Sequence, residues 1–277
     1  MTTVLSPDGT RIAFTRRGRG PAIILVDGAL CHRAFGPSEE FARLLADRFT
    51  VYTYDRRGRG ESGDTSPYHL DREIEDLEAL VNEAGGSAAL YGMSSGAALI
   101  LEAANRLPAA TGIVLFEPPF VVNDIRPLPA DIWPGVGAAI AVGDRSRAVQ
   151  IFLRGVGVPA LAVAIMRLLP LWRRLKASAH TLPYDGAIVK EYQRGQPLPR
   201  GRWASVTTPA LVLVGAKSPD WMQNATRSLA AILPRATHRV LAGQSHVVKP
   251  VVHAPMVIEF LCAGERAVKP TETTHAR

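Results

Sequence analysis

Residues 88–104 read AALYGMSSGAALILEAA, and this stretch decides the fold. The apolar run Ala88–Tyr91 precedes the pattern G-x-S-x-G of residues 92–96, and a helix-forming run follows it. A strand, a tight turn and a helix are the setting in which this pattern forms a nucleophile elbow, which exposes its serine at a strained turn. The two glycines lack a Cβ and leave room for strand and helix to pass close together. The sequence therefore predicts an elbow at Ser94 rather than a chance match in a Gly/Ser loop.

Short apolar runs alternate with helical patterns along much of the chain, as they do in βα units. The predicted strands are Arg11–Thr15, Ala22–Val26, Val51–Asp55, Ala88–Tyr91, Gly112–Phe116, Ala210–Val214 and Thr237–Leu241. The predicted helices between them are Glu39–Ala46, Asp71–Glu83, Ser95–Asn105, Gln223–Leu233 and Pro255–Cys262. Several strands are apolar throughout, which is typical of parallel strands buried on both faces. This pattern predicts an α/β fold with a mostly parallel central sheet flanked by helices.

One long segment interrupts the alternation, because residues 117–209 contain no convincing strand. Its helical patterns cover residues 131–141, 145–153, 160–169 and 187–193, and prolines at both ends favour rigid hinges. The predicted organisation is a core of residues 1–119 and 203–263, a helical lid of residues 120–202, and a disordered tail of residues 264–277.

Composition excludes several classes of protein. The 277 residues carry a net charge of +7, but the excess arginine is scattered and forms no basic run with interleaved aromatics, so no nucleic-acid partner is expected. Two cysteines, Cys31 and Cys262, make no disulfide framework, which favours a reducing cytoplasm. The first residues show no signal-peptide pattern. The most apolar stretch, Gly155–Trp172, contains two prolines and an arginine, so neither a membrane span nor a membrane partner is expected.

Four segments together resemble the α/β-hydrolase superfamily over residues 8–262. They are the elbow, YDRRGRGES at residues 54–62 (similar to a D-x-R-G-x-G-x-S loop), VDGA at residues 26–29 in place of a His-Gly oxyanion turn, and QSH at residues 244–246 after the last strand. The resemblance implies an α/β-hydrolase fold with a helical lid inserted after strand six. It also implies the chain order serine, acid, histidine. The fold alone does not fix the reaction.

The resemblance assigns most of the catalytic groups. A serine hydroxyl is a weak nucleophile without a nearby base, and His246 holds the position of that base for Ser94. Of the other histidines, only His32, near the oxyanion turn, is a plausible pocket residue. The backbone N–H groups of Ala29 and Ser95 are expected to form the oxyanion hole.

The catalytic acid has two candidates. The usual position, three residues past the glycine that ends strand seven, is Ser218, and a serine cannot balance an imidazolium. Glu117 ends strand six, where haloalkane dehalogenases and resorcylic-lactone hydrolases place their acid, and it is favoured here. Asp220 is the alternative. Each candidate also has a purely structural interpretation: Glu117 as a carboxylate that holds the lid hinge, and Asp220 as a helix N-cap. A dehalogenase is not expected, because those enzymes use an aspartate where this chain has Ser94.

Charged residues near the predicted site have structural interpretations. Asp27 replaces the usual histidine of the oxyanion turn, and an ionised carboxylate there would oppose a developing oxyanion. It is therefore expected to turn away and bind backbone N–H groups of neighbouring loops. Arg56, Arg57 and Arg59 are expected to fasten loops together rather than to bind an anionic substrate.

The sequence predicts a serine hydrolase without metal or cofactor that cleaves a carboxylic ester or lactone through an acyl-enzyme. The lid is rich in apolar residues, which favours a small to medium, mostly apolar substrate or equally a lid packed on the core. The predicted pocket residues are Gly28, Met93, Met166, Trp172 and Trp221. Two alternatives stay open: the same fold used for lyase, cyclase or carbon–carbon bond chemistry, and a catalytically silent ligand-binding relative. Monomer and dimer are both compatible with the sequence.

Overall fold

The computed structural model of the protein describes residues 2–107, 109–123 and 132–268. Within these residues a single sheet of eight strands forms the centre, in the order β1-β2-β4-β3-β5-β6-β7-β8. The strands are β1 (Thr2–Leu5), β2 (Arg11–Gly18), β3 (Ala22–Val26), β4 (Thr50–Tyr54), β5 (Ala88–Met93), β6 (Ala110–Phe116), β7 (Ala210–Gly215) and β8 (Ala236–Leu241). Strands β3 to β8 are parallel to one another, and β1 and β2 pair antiparallel at one edge. The predicted α/β fold with a mostly parallel sheet is confirmed.

The described part of the chain contains ten α-helices. They are α1 (Ser38–Leu45), α2 (Leu70–Glu83), α3 (Ser95–Ala104), α4 (Trp133–Ala141), α5 (Arg145–Gly155), α6 (Ala160–Met166), α7 (Leu171–Ser178), α8 (Leu182–Val189), α9 (Asp220–Ile232) and α10 (Pro250–Val268). Helices α4 to α8, with 3-10 turns at Ala179–Thr181 and Lys190–Gln193, lie between β6 and β7 in the chain. We call residues 132–206 the inserted segment.

Both faces of the sheet are covered by helices. Leu99 of α3 and Leu229 of α9 are fully buried in the apolar cluster on one face, and Phe41 of α1 and Val257 of α10 are fully buried in the cluster on the other. Strand β5 is buried at every position, which explains why its sequence shows no alternation of polar and apolar residues. Its carboxyl end, where Ser94 follows, therefore lies at the middle of the sheet.

Several boundaries differ from the sequence prediction. Strand β1 was not predicted, because it has four residues, none of them buried, at the sheet edge. Helix α7 was also missed. Helix α10 starts at Pro250 and not at Pro255. A proline is usual in a first helical turn, which favours a start at Pro255 from the sequence, but Pro255 lies inside the helix. The same helix continues to Val268, past residue 264, where a tail was predicted, and residues 269–277 lie outside the described residues.

The inserted segment has an apolar core of its own. Its buried members include Val136, Ala139, Ala148, Val149, Leu153, Val163, Trp172, Leu175, Ala179 and Leu182. The start of the predicted lid at residues 124–131 lies outside the described residues. In the parts that the structure describes, no helix has both the length and the apolar character needed to cross a membrane.

Candidate active site

Ser94 occupies a strained turn between β5 and α3. Its backbone angles are φ 53° and ψ −126°, a conformation that residues with a side chain rarely adopt. The flanking glycines are required by close packing: a Cβ on Gly92 would lie 2.7 Å from the backbone nitrogen of Ala97, and a Cβ on Gly96 would collide with the carbonyl of Val26. The strand, turn and helix therefore present Ser94 as the sequence motif predicts.

His246 and Glu117 meet at the carboxyl end of the sheet. The Nδ1 atom of His246, in the loop after β8, lies 2.6 Å from Oε2 of Glu117, which directly follows β6. Glu117 is fully buried and has a positive φ of 46°. Its other oxygen, Oε1, accepts hydrogen bonds from the backbone N–H of Gly215 at 2.7 Å and from the Ser218 hydroxyl at 2.5 Å. Both carboxylate oxygens are therefore satisfied without solvent, as a buried acid requires.

The alternative acid, Asp220, lies elsewhere. It is exposed at the first position of α9, and the N-cap position belongs to Pro219, so the predicted capping role for Asp220 is also incorrect. Ser218 stands at the position where the family usually has its acid, and its hydroxyl binds Glu117. The structure thus brings Glu117, and not Asp220, to His246.

The two predicted oxyanion donors both lie beside Ser94. Ala29 and Ser95 line a common cavity with it, and the backbone N–H groups of both residues have no acceptor within the described residues. The carbonyl of Gly28 accepts a 2.7 Å hydrogen bond from Nη1 of Arg59. Because that carbonyl shares a planar peptide group with the N–H of Ala29, the contact also fixes the direction of this N–H.

Asp27 turns away from the cavities, as predicted, but its partner differs. The hydroxyl of Ser38, the first residue of α1, donates to Oδ1 of Asp27 at 2.5 Å, where the sequence led us to expect backbone N–H groups. Burial raises the pKa of Asp27 to about 6, against the opposing effects of this hydrogen bond and of nearby arginines.

A buried ionic cluster lies beneath the elbow. The guanidinium of Arg56 contacts both oxygens of Glu73 at 2.7 and 2.8 Å and Oδ1 of Asp185 in α8 at 2.8 Å. Arg59 binds the other oxygen of Asp185 at 2.7 Å, and the hydroxyl of Ser95 donates to Oδ1 at 2.7 Å. Burial opposes ionisation of Asp185, but Arg59 and Arg56 outweigh it and hold its pKa below the usual value. The cluster therefore fastens the inserted segment to the elbow.

The neighbouring Arg57 makes a separate set of ion pairs. It is equally buried and binds both oxygens of Asp76 at 2.8 and 2.7 Å and one oxygen of Asp8 at 3.0 Å. The structural role predicted for the three arginines agrees with these contacts, but most of their carboxylate partners lie on helices α2 and α8 and not on loops.

Sequence reasoning missed Asp185, which lies 90 residues from Ser95 and belongs to no motif. One signal could have revealed it: Asp185 is the only acidic residue between Asp144 and Glu191, a stretch that is otherwise basic and apolar. A lone carboxylate on an apolar helix indicates a buried cationic partner, because burying an unpaired charge is costly.

Two cavities meet at Ser94. The larger, of about 440 Å³, is lined by Gly28, Ala29, Cys31, Pro37, Met93, Ser94, Phe116, Phe152, Val156, His246, Val247 and Val248. The smaller, of about 40 Å³, is lined by Ala29, Ser94, Ser95, Pro119, Val121, Ile132, Trp133, Phe152, Gly155, Val156, Asp185, Val189, Gln193 and Trp221. No lysine or arginine of the described residues lines either cavity.

The predicted pocket residues divide between the cavities and the protein interior. Gly28 and Met93 line the larger cavity and Trp221 the smaller one. Trp172 and Met166 line neither, so this part of the prediction is wrong. Both pack into the core of the inserted segment, where Nε1 of Trp172 donates to the Ser146 hydroxyl at 3.1 Å. The segment reaches the cavities with other residues, namely Ile132, Trp133, Phe152, Gly155, Val156, Asp185, Val189 and Gln193.

The histidine considered beside His246 also falls outside the cavities. His32 pairs with Phe35 through two backbone hydrogen bonds of 2.9 and 2.8 Å and lines neither cavity. In the described ranges of the chain, no group of three or more His, Cys, Asp or Glu residues is arranged to hold a metal ion. A hydroxyl, an imidazole and a buried carboxylate are the reactive groups that this site brings together.

A profile of the Alpha/beta hydrolase family matches residues 23–256. The chain belongs to this family. This alpha/beta hydrolase is similar to one of known structure from Sphaerobacter thermophilus DSM 20745, with 47% identity and a TM-score of 0.85 over 94% of this chain and 99% of that chain. An enol-lactonase from Burkholderia xenovorans LB400 has 18% identity and a TM-score of 0.70, covers 94% of this chain and 100% of its own, and shares the fold.

Curated relatives are less similar to the chain than the Sphaerobacter hydrolase is. The polyketide synthase ThaQ of Burkholderia thailandensis is 27% identical over 278 residues, a match that covers 95% of this alpha/beta hydrolase and 13% of ThaQ. The chain spans less than half the length of the curated relatives it matches. The family and the hydrolase names among its relatives support an enzyme.

Proposed function

We propose that this alpha/beta hydrolase is a serine hydrolase that cleaves a carboxylic ester or a lactone through an acyl-enzyme. One observation carries the proposal: His246 binds the buried carboxylate of Glu117 through Nδ1, at 2.6 Å, and lines the same cavity as Ser94. A hydroxyl, an imidazole and an orienting carboxylate in that sequence are the parts of a nucleophilic triad.

The proposed mechanism follows from the hydrogen bond that one ring nitrogen of His246 already makes. Because Glu117 occupies Nδ1, Nε2 of His246 is the nitrogen left to take the proton of Ser94 as the hydroxyl attacks the carbonyl carbon. The ionised Glu117 then stabilises the imidazolium, and the N–H groups of Ala29 and Ser95 bind the oxyanion. His246 next protonates the leaving oxygen, and water that it deprotonates releases the acyl group.

The two cavities receive different parts of the substrate. His246 must reach the leaving oxygen, and it lines only the larger cavity, so we assign the alcohol part of the ester to that cavity. The narrow cavity beside Ser95 then takes the acyl chain. Both linings are mostly apolar and carry no lysine or arginine among the described residues, which favours an uncharged substrate with a short acyl group.

The inserted segment acts as the lid of this site. Phe152 and Val156 line both cavities, and Trp133 lines the smaller one. The segment thus forms part of the wall of both cavities, and its side chains set the width of the acyl cavity. The proposed substrate is a small molecule, and the two free cysteines fit the proposed cytoplasmic location.

A fluorophosphonate probe and a set of p-nitrophenyl esters test the proposal together. We expect the probe to label Ser94, and acetate or butyrate esters to give a burst of p-nitrophenol followed by turnover. Ser94→Ala should abolish both signals. Labelling of Ser94 without ester or lactone turnover would redirect the assignment to lyase, cyclase or carbon–carbon bond chemistry, and absence of labelling would favour a ligand-binding protein.

A further inference from the structure

The inserted segment exposes an apolar surface that the catalytic proposal does not use. Leu161, Ile165 and Leu168 are 72%, 52% and 86% exposed. Their spacing of four and three residues places them on one side of α6 and the turn that follows it. Val163, on the opposite side of the helix, is buried in the core of the segment. We call Leu161, Ile165 and Leu168 the α6 face.

The charge around this face has one sign. Residues 145–184 contain seven arginines and lysines and no aspartate or glutamate. Arg154, Arg167 and Arg173, from α5, the end of α6 and α7, are exposed. None of these three forms a salt bridge with a described residue. The α6 face is therefore accompanied by three exposed arginines, unpaired within the described residues, on α5, at the end of α6 and on α7.

The α6 face is also close in the sequence to a residue that lines the site. Val156, which directly follows α5 and lies four residues before the start of α6, is 46% exposed and lines both cavities beside Ser94.

We propose that the α6 face docks on an anionic lipid surface. Exposed leucine and isoleucine side chains on one side of a helix, with arginines beside them, suit a helix that lies in the plane of a membrane interface. The arginines would contact anionic headgroups while the apolar side chains enter the headgroup–acyl boundary. A second copy of the chain fits this surface less well, because self-association through α6 would bring the exposed arginines of one copy towards those of the other.

The proposed docking departs from the sequence expectation of no membrane partner, which rested on the lack of a spanning segment. The proline and arginine interruptions of residues 155–172 disfavour crossing of the membrane but not binding at its surface. The binding itself is independent of the proposed reaction. Delivery of an apolar ester from the lipid to Ser94 is its consequence, and only that step rests on the proposed function.

Co-sedimentation of the full chain with vesicles tests the docking. We expect at least about tenfold tighter binding to vesicles of equal parts phosphatidylglycerol and phosphatidylcholine than to phosphatidylcholine alone, with binding weakened by salt. Leu168→Asp and the double change Arg167→Glu, Arg173→Glu should each remove most of it. Val142→Asp, at an 80% exposed apolar residue outside the face, is the matched control and should bind as the unchanged protein does.

Each other outcome counts against the proposal. Binding that survives Leu168→Asp, or that is lost only in the arginine variant, would show charge attraction without docking of α6. A dimer in light scattering that Leu168→Asp dissociates, with no vesicle binding, would assign the face to a second copy. Turnover of soluble p-nitrophenyl acetate by Leu168→Asp should stay unchanged, which separates a failure of docking from a failure of the proposed reaction.

Discussion

The guanidinium of Arg59 holds the carbonyl of Gly28 at 2.7 Å, on the opposite side of the peptide group from the N–H of Ala29. Since the peptide group is planar and trans, fixing the carbonyl fixes the N–H that points the other way. Arg59 is in turn bound to Asp185 at 2.7 Å and to the Thr181 hydroxyl at 3.0 Å. One of the two proposed oxyanion donors is therefore aimed by a buried arginine, which acts as a positioning residue.

We expect Arg59→Lys to lower kcat by about tenfold to a hundredfold with little change in KM, because a misdirected oxyanion donor weakens binding of the transition state only. Steady-state kinetics on a p-nitrophenyl ester measure this. Arg57→Lys is the matched control: Arg57 is equally buried and paired with Asp76, but does not contact the oxyanion turn. A similar loss of kcat in both variants would mean that Arg59 only stabilises the fold.

Ser94→Ala should reduce kcat by on the order of 10⁴ or more, because it removes the proposed nucleophile. Ser95→Ala should cost far less, since the backbone N–H is kept. The change removes only the hydroxyl, which donates to Asp185 at 2.7 Å and accepts from Arg56 at 3.4 Å. Labelling by a fluorophosphonate probe, located by mass spectrometry, checks the assignment. A probe adduct on Ser95 would contradict it.

Glu117→Gln should lower kcat by up to about 10⁴, because an amide cannot stabilise the His246 imidazolium and favours the wrong tautomer. Asp220→Asn removes an exposed carboxylate that does not contact His246, so its effect should stay below about tenfold. The ratio of the two kcat values is the measurement. The reverse ranking would transfer the acid to Asp220.

Phe152→Ala should change the ratio of kcat/KM values along a series of acyl chain lengths, because Phe152 lines both cavities. Trp172→Ala should lower the free energy of unfolding and leave those ratios unchanged, because Trp172 is 5% exposed in the core of the inserted segment. Equal shifts of specificity in the two variants would show that the core of the segment, and not the cavity wall, selects the substrate.

Asp27→Asn should stabilise the protein more at neutral than at acid pH. The pKa of Asp27 is about 6 in the folded protein and about 3.9 in an unfolded chain. Between these values the folded state keeps a proton that the unfolded state has released, so the stability that Asp27 contributes falls as the pH rises. The amide cannot ionise and avoids this loss.

We expect the difference in unfolding free energy between Asp27→Asn and the unchanged protein to grow by about 2 kcal/mol from pH 4 to pH 7.5. Urea unfolding at the two pH values measures it. Burial also raises the pKa of Asp76 to about 6. Asp76 is present in both proteins, so its contribution to the pH dependence cancels from the comparison. A constant difference would place the ionisation of Asp27 at its ordinary pKa.

Local motifs account for the part of the site that sequence alone predicts. The turn at Ser94 is encoded by adjacent residues. Glu117 directly follows β6, and His246 lies in the loop after β8. Because parallel strands end at one edge of the sheet, residues at these places converge without any knowledge of tertiary contacts. This geometry admits both Glu117 and Asp220, and the resemblance to relatives with an acid after strand six is what favoured Glu117, which the structure places 2.6 Å from His246.

Contacts between distant elements are what the sequence did not reveal. An apolar stripe on a helix predicts that one side is buried, but it does not identify the partner, and so Trp172 and Met166 were placed in the cavity and not in the core of the inserted segment. Asp185 was missed for the same reason, because its partners Arg56 and Arg59 lie more than a hundred residues away.

Asp185 also limits how far the inserted segment can be treated as a module. A chimera that carried a relative's segment on this core, without a carboxylate at that position, would leave Arg56 and Arg59 buried and short of a counter-ion. Removing one partner of a buried ion pair costs roughly 3–5 kcal/mol, a large share of the stability of an ordinary domain. Recombination of substrate specificities in this fold therefore has to carry the aspartate and the two arginines together as one unit.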